Sequence, residues 1–265
     1  MDHALWLPRS VLLALWLAAD GPVRASDLVA AVQADDEPHR VRSVQSATGA
    51  DPLGGAGADE PFMVLLDACA AAPRDVAALV PAPGDPLAAP AAVSGEATRA
   101  GECLLVRTPE TCLAAVPLIE RFGSDIEPGH LVTWHVSTVP DWRLTVQGAA
   151  GSLADAEREL RIGLMDATEA LVRLDVARWR PEAAEQIAAL RDLDLPVRRL
   201  PAGLDGQRVR VLASAARLRG IVRLAAQDDG GAINLWQADQ RSTALREIDR
   251  VARRAMSAAA STITR

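Results

Sequence analysis

The sequence predicts an α/β (or α+β) protein, in which a small mixed sheet with flanking helices precedes a C-terminal antiparallel helical bundle. Short apolar runs separated by Pro and Gly fill the first part of the chain, as they do in α/β sheets. From Ser152 onward the apolar residues recur at helical spacing instead. We therefore expect two domains, a sheet domain at 1–151 with an N-terminal helix pair and a helical bundle at 152–265.

Two short helices, joined by the turn Asp20-Gly21-Pro22, are predicted at the N-terminus, with Ser26 as the N-cap of the second. The apolar run Ser10–Ala19 is too short to span a bilayer. The acidic residues Asp2 and Asp20 favour a structured helix of a cytoplasmic protein over a secretory signal. A signal peptide cleaved at about residue 25 is the alternative.

Four strands are predicted in the sheet domain, at Val76–Val80, Glu102–Arg107, Cys112–Ile119 and His130–Val139. Pro117 is expected to put the third strand at a sheet edge or to end it early. A helix at Phe62–Ala72 precedes the strands, and another at Ala91–Ala100 separates the first two. The Gly-rich segment 42–61 is predicted to be a mobile loop, with at most a short strand near Val41–Val44.

The residue types that most often bind metals or catalyse reactions are few and scattered. His130 and His135 lie on the strongest predicted strand and point to opposite faces, because side chains alternate along a strand. They therefore cannot share a metal ion, and we expect half-buried sheet histidines, with the Trp134 face packed on the core. The cysteines lack CxxC spacing and are predicted to be reduced, buried thiols, which are Cys69, Cys103 and Cys112. These patterns predict no catalytic residue, no metal site and no cofactor.

Four helices are predicted in the C-terminal domain. The longest is Ser152–Arg180, and its expected core stripe comprises Leu153, Leu160, Leu164, Ala167, Leu171 and Leu174. The second helix, Glu182–Leu193, follows Pro181. The third and fourth carry apolar stripes at 211–225 and 245–263. Amphipathic helices joined by short turns typically form an antiparallel bundle.

The charge is divided unevenly along the chain. All 28 basic residues are Arg, and the net charge is −7. Residues 1–151 contain 9 Arg and 19 acidic residues, a balance of −10, whereas residues 152–265 contain 19 Arg and 16 acidic residues, a balance of +3. This division predicts two differently charged surfaces. The second half is too mildly basic to predict nucleic-acid binding.

A Pro-Gly loop at 81–90 is the first candidate ligand site. It follows a predicted strand and precedes a helix, where ligands collect in open α/β sheets. Neither GxGxxG nor GxxxxGK[ST] is present, so the sequence predicts no phosphate cradle. The candidate ligand-binding residues are Gly84 and Asp85, and the alternative is a rigid turn in which Asp85 bonds to the local backbone.

Arginines crowd the third and fourth predicted helices of the bundle. A basic face there would suit an acidic protein partner or phosphates, and its candidate residues are Arg210, Arg217, Arg250 and Arg254. The alternative is a solvated helix face on which arginines alternate with acidic residues. Nucleic acid is the less favoured partner because the domain as a whole is only mildly basic.

Several motifs resemble those of a set of uncharacterised conserved actinobacterial proteins. The longest is ATEALVRLDVARWRPEAAEQIAAL at Ala167–Leu190, and shorter ones are PAPGDP, ADDEPHRV and DDGGA. The resemblance touches most of the chain. It implies an actinobacterial cytosolic protein without an assigned activity, and it carries over no catalytic residues.

From these observations we expect a non-enzymatic protein-binding or regulatory module with an unknown protein partner and possible homo-oligomers. One alternative is a small-molecule-binding protein or enzyme with a cleft near the 81–90 loop. A second is nucleic-acid binding through the Arg-rich C-terminal helices. The absence of catalytic motifs and the uneven charge favour the first hypothesis.

Overall fold

A computed structural model describes residues 4–44, 51–54, 57–124, 127–173, 181–226 and 235–263, without the side chains at 166–173, 181–184 and 235–241. The chain divides into two compact units. We call them the sheet unit, which is Pro8–Ala150, Arg198–Leu204 and Ala260–Arg265, and the helical unit, which is Met1–Leu7, Gly151–Val197 and Asp205–Ala259. Each unit therefore includes a short segment from the opposite end of the sequence.

The sheet unit contains a six-stranded mixed sheet in the described part of the chain. Its strands are β1 Arg40–Ser43, β2 Asp59–Pro61, β3 Asp75–Leu79, β4 Cys103–Arg107, β5 Cys112–Gly123 and β6 Pro128–Thr138. They lie in the order β2-β1-β6-β5-β4-β3, with β1 and β6 parallel and all other neighbours antiparallel. The prediction of a mixed α/β sheet is confirmed.

Helices cover both faces of β3 and β4. The helices of the sheet unit are α1 Arg9–Leu17, α2 Ala25–Gln33, α3 Phe62–Ala68, α4 Ser94–Ala100 and α5 Arg143–Ala150. On one face α1 packs against β3 and β4. On the other, Ala97 of α4 and Val146 of α5 are buried in a cluster with Leu79, Leu105 and Val116. All five residues of β3 are buried as a result.

The predicted core face of β6 is confirmed. Val132, Trp134 and Val136 are buried, and Trp134 is completely inaccessible to solvent. Val41 of β1 lies beside Trp134 in the parallel register and is buried as well. Phe62 stacks on the indole of Trp134, with ring centroids 5.8 Å apart.

The prediction that Pro117 places its strand at a sheet edge or ends it early is wrong. The strand β5 lies between β6 and β4 and continues through Pro117 to Gly123. The Val139 N–H donates to the Cys112 oxygen, and hydrogen-bonded pairs alternate along an antiparallel ladder. Pro117 and Trp134 are therefore a non-hydrogen-bonded pair, and the missing N–H of Pro117 faces the β4 side. Since β4 begins only at Cys103, no ladder hydrogen bond is lost there.

Other elements of the sheet unit also differ from the prediction. Ser26 does not cap α2, whose N-cap is Arg24 and which has no side-chain cap. The polar strand β2 and the helix α5 were not predicted at all. Residues 45–50 of the predicted Gly-rich loop, and 55–56 within it, lie outside the described residues.

The C-terminal segment extends the sheet unit beyond the last helix. Val76 and Thr262 exchange backbone hydrogen bonds of 2.9 and 2.8 Å, and the Ala78 N–H donates to the Ala260 oxygen at 3.2 Å. These bonds cover the outer edge of β3, which would otherwise leave unpaired backbone groups.

The helical unit contains α6 Leu153–Arg173, α7 Pro181–Ala189, α8 Gly206–Ala226 and α9 Leu235–Ala259. Gln207 at the start of α8 bonds to Glu157 near the start of α6. Arg208 bonds to the backbone oxygen of Ala259 at the end of α9. Thus α9 runs antiparallel to α8, while α6 and α8 run in the same direction, as expected for an up-and-down bundle. Residues 174–180, predicted to extend α6, lie outside the described residues.

The predicted core stripe of α6 is confirmed at Leu160 but is wrong at Leu164, and the side chains of Ala167 and Leu171 lie outside the described residues. Ala156, Leu160 and Gly163 are buried, whereas the side chain of Leu164 is 44% exposed. A Cβ at Gly163 would lie 3.3 Å from Val251 Cγ1 and 3.7 Å from Leu218 Cδ2. The glycine therefore marks the line of closest approach between α6 and the other helices, and a search for large apolar residues does not detect it. The predicted N-cap is confirmed, because Ser152 Oγ accepts the N–H of Asp155 at 3.1 Å.

Among the described helices, none combines the length and the apolar character needed to cross a membrane.

Candidate partner-binding surface

The predicted ligand residues Gly84 and Asp85 form a tight turn. The backbones of Ala82 and Asp85 exchange two hydrogen bonds of 2.9 Å. Gly84 follows Pro83 and has φ +82°, which is the conformation that position i+2 of a type II turn requires. The turn by itself therefore explains the Pro-Gly pair. A ligand-binding role for Gly84 and Asp85 remains a prediction.

Arg217, one of the four predicted partner-binding arginines, caps the carbonyls beyond α7. Its Nε donates to the Leu190 oxygen and its Nη2 to the Leu193 oxygen, both at 3.0 Å. Carbonyls at a helix C-terminus lack intrahelical partners, so a cation there is stabilising. The arginine therefore has a structural role, whatever else it binds.

The other three predicted arginines differ in their surroundings. Arg210 is 65% exposed and lies 3.5 Å from Glu157, and Arg250 is 43% exposed and pairs with Glu247 one turn away. Arg254 is half-buried, and its Nε atom is buried without a hydrogen-bond partner. Their partner-binding role is still a prediction.

A denser group of charged side chains lies between α8 and α9. Arg219 and Arg223 are one turn apart on α8, and Asp249 and Arg253 are one turn apart on α9. Trp6, from the N-terminal segment, completes the group, which we call the Arg219 cluster. The segment is fixed by the Leu5 N–H, which donates to the Asp194 oxygen at 2.8 Å.

Asp249 is shared by two guanidinium groups in the Arg219 cluster. Arg253 Nε donates to its Oδ2 at 2.7 Å, and Arg219 Nε lies 3.4 Å from its Oδ1. The Cζ atoms of Arg219 and Arg223 lie 5.8 and 5.0 Å from the centroid of the Trp6 ring. Both distances are within the range of cation–π attraction.

The Arg219 cluster combines buried and exposed arginines. Arg219 and Arg253 are largely buried beside Asp249, whereas Arg223 is exposed beside Trp6. Within the part of the chain that the structure describes, the buried Nη1 atom of Arg219 has no hydrogen-bond partner. For Arg223, the described residues provide neither a hydrogen bond nor an ion pair. Burial lowers the pKa of the Arg219 and Arg223 guanidiniums, and the nearby Asp249 opposes the shift.

This arrangement can bind an anion. Burial disfavours the cationic form of arginine, so an anion beside these guanidiniums would offset the free-energy cost of removing them from water. Charge-assisted hydrogen bonds from arginine are among the strongest in proteins. Trp6, whose side chain is 43% exposed, offers an apolar wall beside the charge. Sequence reasoning missed the cluster because Trp6 is far from the helices along the chain. The spacing of Arg219 and Arg223 by one turn was the available signal.

A second buried polar network lies in the sheet unit, between α1 and β6. Asp36 accepts hydrogen bonds from Arg9 Nε at 2.6 Å and Nη2 at 2.8 Å, and from His39 Nε2 at 3.2 Å. The Trp134 indole N–H donates to His39 Nδ1 at 3.2 Å. Because Nδ1 accepts this hydrogen bond, His39 is the neutral tautomer with its proton on Nε2. Every member of the chain of contacts from Arg9 to Trp134 therefore has a partner.

The charges in this network set the pKa of its members. Burial alone would raise the pKa of Asp36, but hydrogen bonds from His39 and Arg9 outweigh burial and hold it well below its ordinary value. Burial lowers the pKa of His39, which keeps the imidazole neutral although Asp36 favours its charged form. The network is thus an ion pair of Arg9 and Asp36, which has no net charge, beside an uncharged His39.

The two strand histidines lie in separate environments. His130 Nδ1 is 3.2 Å from Asp36 Oδ1, whereas His135 Nδ1 is 2.7 Å from Glu96 Oε1 of α4. Their predicted separation is confirmed. Among the described residues, no group of three or more His, Cys, Asp or Glu side chains is placed to hold a metal ion.

The cysteines are free thiols with little tendency to ionise. Cys69 and Cys103 are buried as predicted, while Cys112 is half-buried. Burial raises the pKa of Cys69 to about 12 and also raises the pKa of Cys103 and Cys112. A thiolate nucleophile is therefore disfavoured at neutral pH.

The fold and this surface define a two-unit protein with a mixed α/β sheet and a helical bundle in which arginines cluster around Asp249 and Trp6. Family models agree with this organisation. The model of the Rv1486c-like protein N-terminal domain matches residues 10–150, and that of the C-terminal domain matches residues 154–257. The chain therefore belongs to the Rv1486c-like proteins, which confirms its resemblance to an uncharacterised family. No curated protein and no solved structure matches the chain.

Proposed function

We propose that this protein is a non-enzymatic binding or regulatory module of the actinobacterial cytoplasm, and that its helical unit binds an acidic segment of a protein partner at the Arg219 cluster. The observation that carries the proposal is the buried, unpartnered Nη1 of Arg219. A buried donor without a partner costs free energy, and an acidic side chain from another protein would supply the missing acceptor.

The residue types in the cluster support a protein partner. Trp and Arg are enriched among the side chains that dominate binding energies at protein–protein interfaces. Here an exposed Trp6 lies against Arg219 and Arg223, so apolar area and charge are presented together. A carboxylate on a flexible segment can reach both guanidiniums while its neighbouring residues pack on the indole.

Nucleic acid is less compatible with this surface. Binding a phosphate backbone uses a row of cations that release counterions together. On α8, however, Arg217 caps carbonyls beyond α7 and Arg208 donates to the Ala259 oxygen. Two of the arginines that would form such a row are thus engaged inside the unit.

The test is a binding titration with a defined acidic probe. Fluorescein-labelled hexaglutamate is titrated with the whole chain at physiological ionic strength, and its anisotropy is followed. Arg223→Glu is expected to weaken binding by about tenfold or more. Arg210→Glu is the matched control, because it makes the same charge change on the same helix at an exposed site.

The control lies about 20 Å along the helix from Arg223, at ~1.5 Å per residue. This is beyond the screening length of about 8 Å at physiological salt, so Arg210→Glu is expected to change the affinity by less than about twofold. An equal loss in both variants would mean attraction to overall charge and would reject the proposed site. Failure of the unmodified chain to bind the probe would also reject the proposed site.

A further inference from the structure

One face of the sheet is covered by helices at one end and exposed at the other. His135 of β6 points to this face, where its Nδ1 lies 2.7 Å from Glu96 Oε1 of α4. The hairpin of β5 and β6 extends beyond this contact and beyond the end of β4. Side chains alternate along a strand and cross-strand partners share a face, so the residues on the side opposite to the buried Val132 and Trp134 point outward. We call this surface the open face, and its residues are Arg40, Leu118, Glu120, Phe122, Gly129 and Leu131.

The apolar side chains of the open face are contiguous. Phe122 and Leu131 are 44% and 46% exposed, and Leu118 is half-buried. The Phe122 ring lies over Gly129, where an added Cβ would be 2.4 Å from its Cζ. Leu131 is the next residue on this face of β6, and Leu118 is its diagonal neighbour on β5. Outward positions of a solvated antiparallel sheet are usually polar, and contiguous exposed apolar residues with a charged rim are typical of interaction sites.

Charged residues of opposite sign border these apolar residues. Arg40 lies on β1, one strand to one side of β6, and Glu120 lies on β5, one strand to the other side. Both residues are exposed. Arg42, further along β1, donates to Asp59 at 2.8 Å. A surface with a cation on one margin and an anion on the other can be complementary to a second copy of itself, as an isologous interface requires.

The dimensions of the sheet allow these charges to meet across a two-fold axis. Arg40 lies opposite Thr133, so its offset from Leu131 is one strand, about 5 Å, across the sheet and two residues, about 7 Å, along it. In two sheets whose strands cross at about 90°, a diagonal two-fold axis exchanges these directions. With Leu131 on the axis, Arg40 of each copy lies over Glu120 and Phe122 of the other. It can there form an ion pair and a cation–π contact.

We infer that the open face is a dimerisation surface, and that its occupant is a second copy of this chain. Dimerisation removes the apolar residues from water, and two equivalent pairs of Arg40 with Glu120 fix the register. The exposed apolar area is small, so the dimer belongs to the weak, reversible class of interfaces. The open face is part of the sheet unit, and the inference therefore does not depend on the Arg219 cluster.

Sedimentation velocity of the whole chain from about 1 to about 300 µM measures the association. The weight-average mass is expected to rise towards that of a dimer over this range. Leu131→Asp should weaken the dimer by about tenfold or more, because two carboxylates then meet at the axis. Ile119→Asp is the matched control, since Ile119 is 38% exposed on the same hairpin but lies on the opposite face with Val132. It should change the dissociation constant by less than about twofold, and circular dichroism checks that both variants are folded.

Two charge reversals test the occupant and the register together. Arg40→Glu and Glu120→Arg each oppose two like charges in their own homodimer, so each alone should associate about tenfold or more weakly. In an equimolar mixture every opposed pair is again Arg with Glu, so the heterodimer should form with about the affinity of the unmodified chain.

Three results would overturn the inference. The first is an unmodified chain that stays monomeric up to the highest concentration. The second is a dimer that Leu131→Asp leaves unchanged or that Ile119→Asp weakens equally, because its interface would then lie elsewhere. The third is a mixture of the two charge reversals that associates no better than either variant alone, which would exclude the pairing of Arg40 with Glu120.

Discussion

Replacing Asp36 with alanine is expected to lower the free energy of unfolding by about 3–5 kcal/mol. The side chains of Asp36 and Arg9 are only 8% and 13% exposed. Truncation leaves the Arg9 guanidinium buried without its counterion and removes the acceptor of the His39 Nε2–H. A loss of this size is a large part of the 5–15 kcal/mol that stabilises an ordinary domain.

The same network predicts how stability depends on pH. The folded-state pKa of Asp36 is depressed, so the carboxylate contributes stability that is fully present above its unfolded pKa of about 3.9. This contribution is lost progressively as the pH falls below that value towards the folded-state pKa. The decline in stability of the unmodified chain on acidification should therefore be less steep in Asp36→Ala, whose titrating group is missing.

Urea unfolding followed by circular dichroism measures both effects. Asp59→Ala is the matched control, because Asp59 also accepts from an arginine, Arg42 Nε at 2.8 Å, but its side chain is 30% exposed and that of Arg42 45%. Such surface pairs contribute about 0–1 kcal/mol. If Asp36→Ala costs no more than Asp59→Ala, the buried network does not stabilise the sheet unit and the reasoning from burial fails.

Three further predictions concern other parts of the fold. Gly123→Ala should lower the free energy of unfolding, measured in urea, by about 1–3 kcal/mol. The backbone at Gly123 has φ +83°, and an added Cβ would collide with the Glu127 oxygen. No change in stability would contradict this expectation of strain. Arg217→Ala should lower the free energy of unfolding by about 1–3 kcal/mol in the same measurement, because two part-buried carbonyls lose a charged donor. Arg210→Ala is the comparison and should change it by less than about 0.5 kcal/mol; an equal loss in both variants would contradict the capping role. Maleimide should label the half-buried Cys112 before Cys69, because burial raises the pKa of the Cys69 thiol to about 12. Mass spectrometry of the first labelled peptide identifies the site, and labelling of Cys69 first would contradict its burial.

The sheet was predictable where the pattern of one strand carries enough information. Apolar and polar residues alternate strongly around Trp134, and the face predicted to pack on the core is the one that is buried. In contrast, β2 consists of Asp-Glu-Pro and has no strand propensity of its own. It is extended because it pairs with β1, where Asp59 lies opposite Arg42. A strand that depends on its neighbour cannot be recognised from its own residues.

The helical unit shows a different limit of sequence reasoning. The prediction of amphipathic helices in a bundle was sound, but the core stripe of α6 was placed on leucines, including the exposed Leu164. The observed contact line passes through Gly163, because a residue without a side chain lets Val251 and Leu218 approach. Large apolar residues indicate where area can be buried, whereas the closest approach of helices is set by small ones. The predicted arginines were selected in the same way, by local density, and Arg217 is used in the structure as a cap.

The two buried ionic groups of this protein differ in a way that bears on function. Around Asp36, each charge and each donor from Arg9 to Trp134 meets a partner within the chain, so the network satisfies the general requirement for buried polar groups. In the Arg219 cluster the requirement is not met, because Nη1 of Arg219 is buried without an acceptor among the described residues, while Arg219 and Arg253 share Asp249. Folding alone does not explain this unsatisfied donor, since an apolar residue at Arg219 would avoid its desolvation. This difference is the reason for proposing the Arg219 cluster, and not the Asp36 network, as the site that meets an acidic partner.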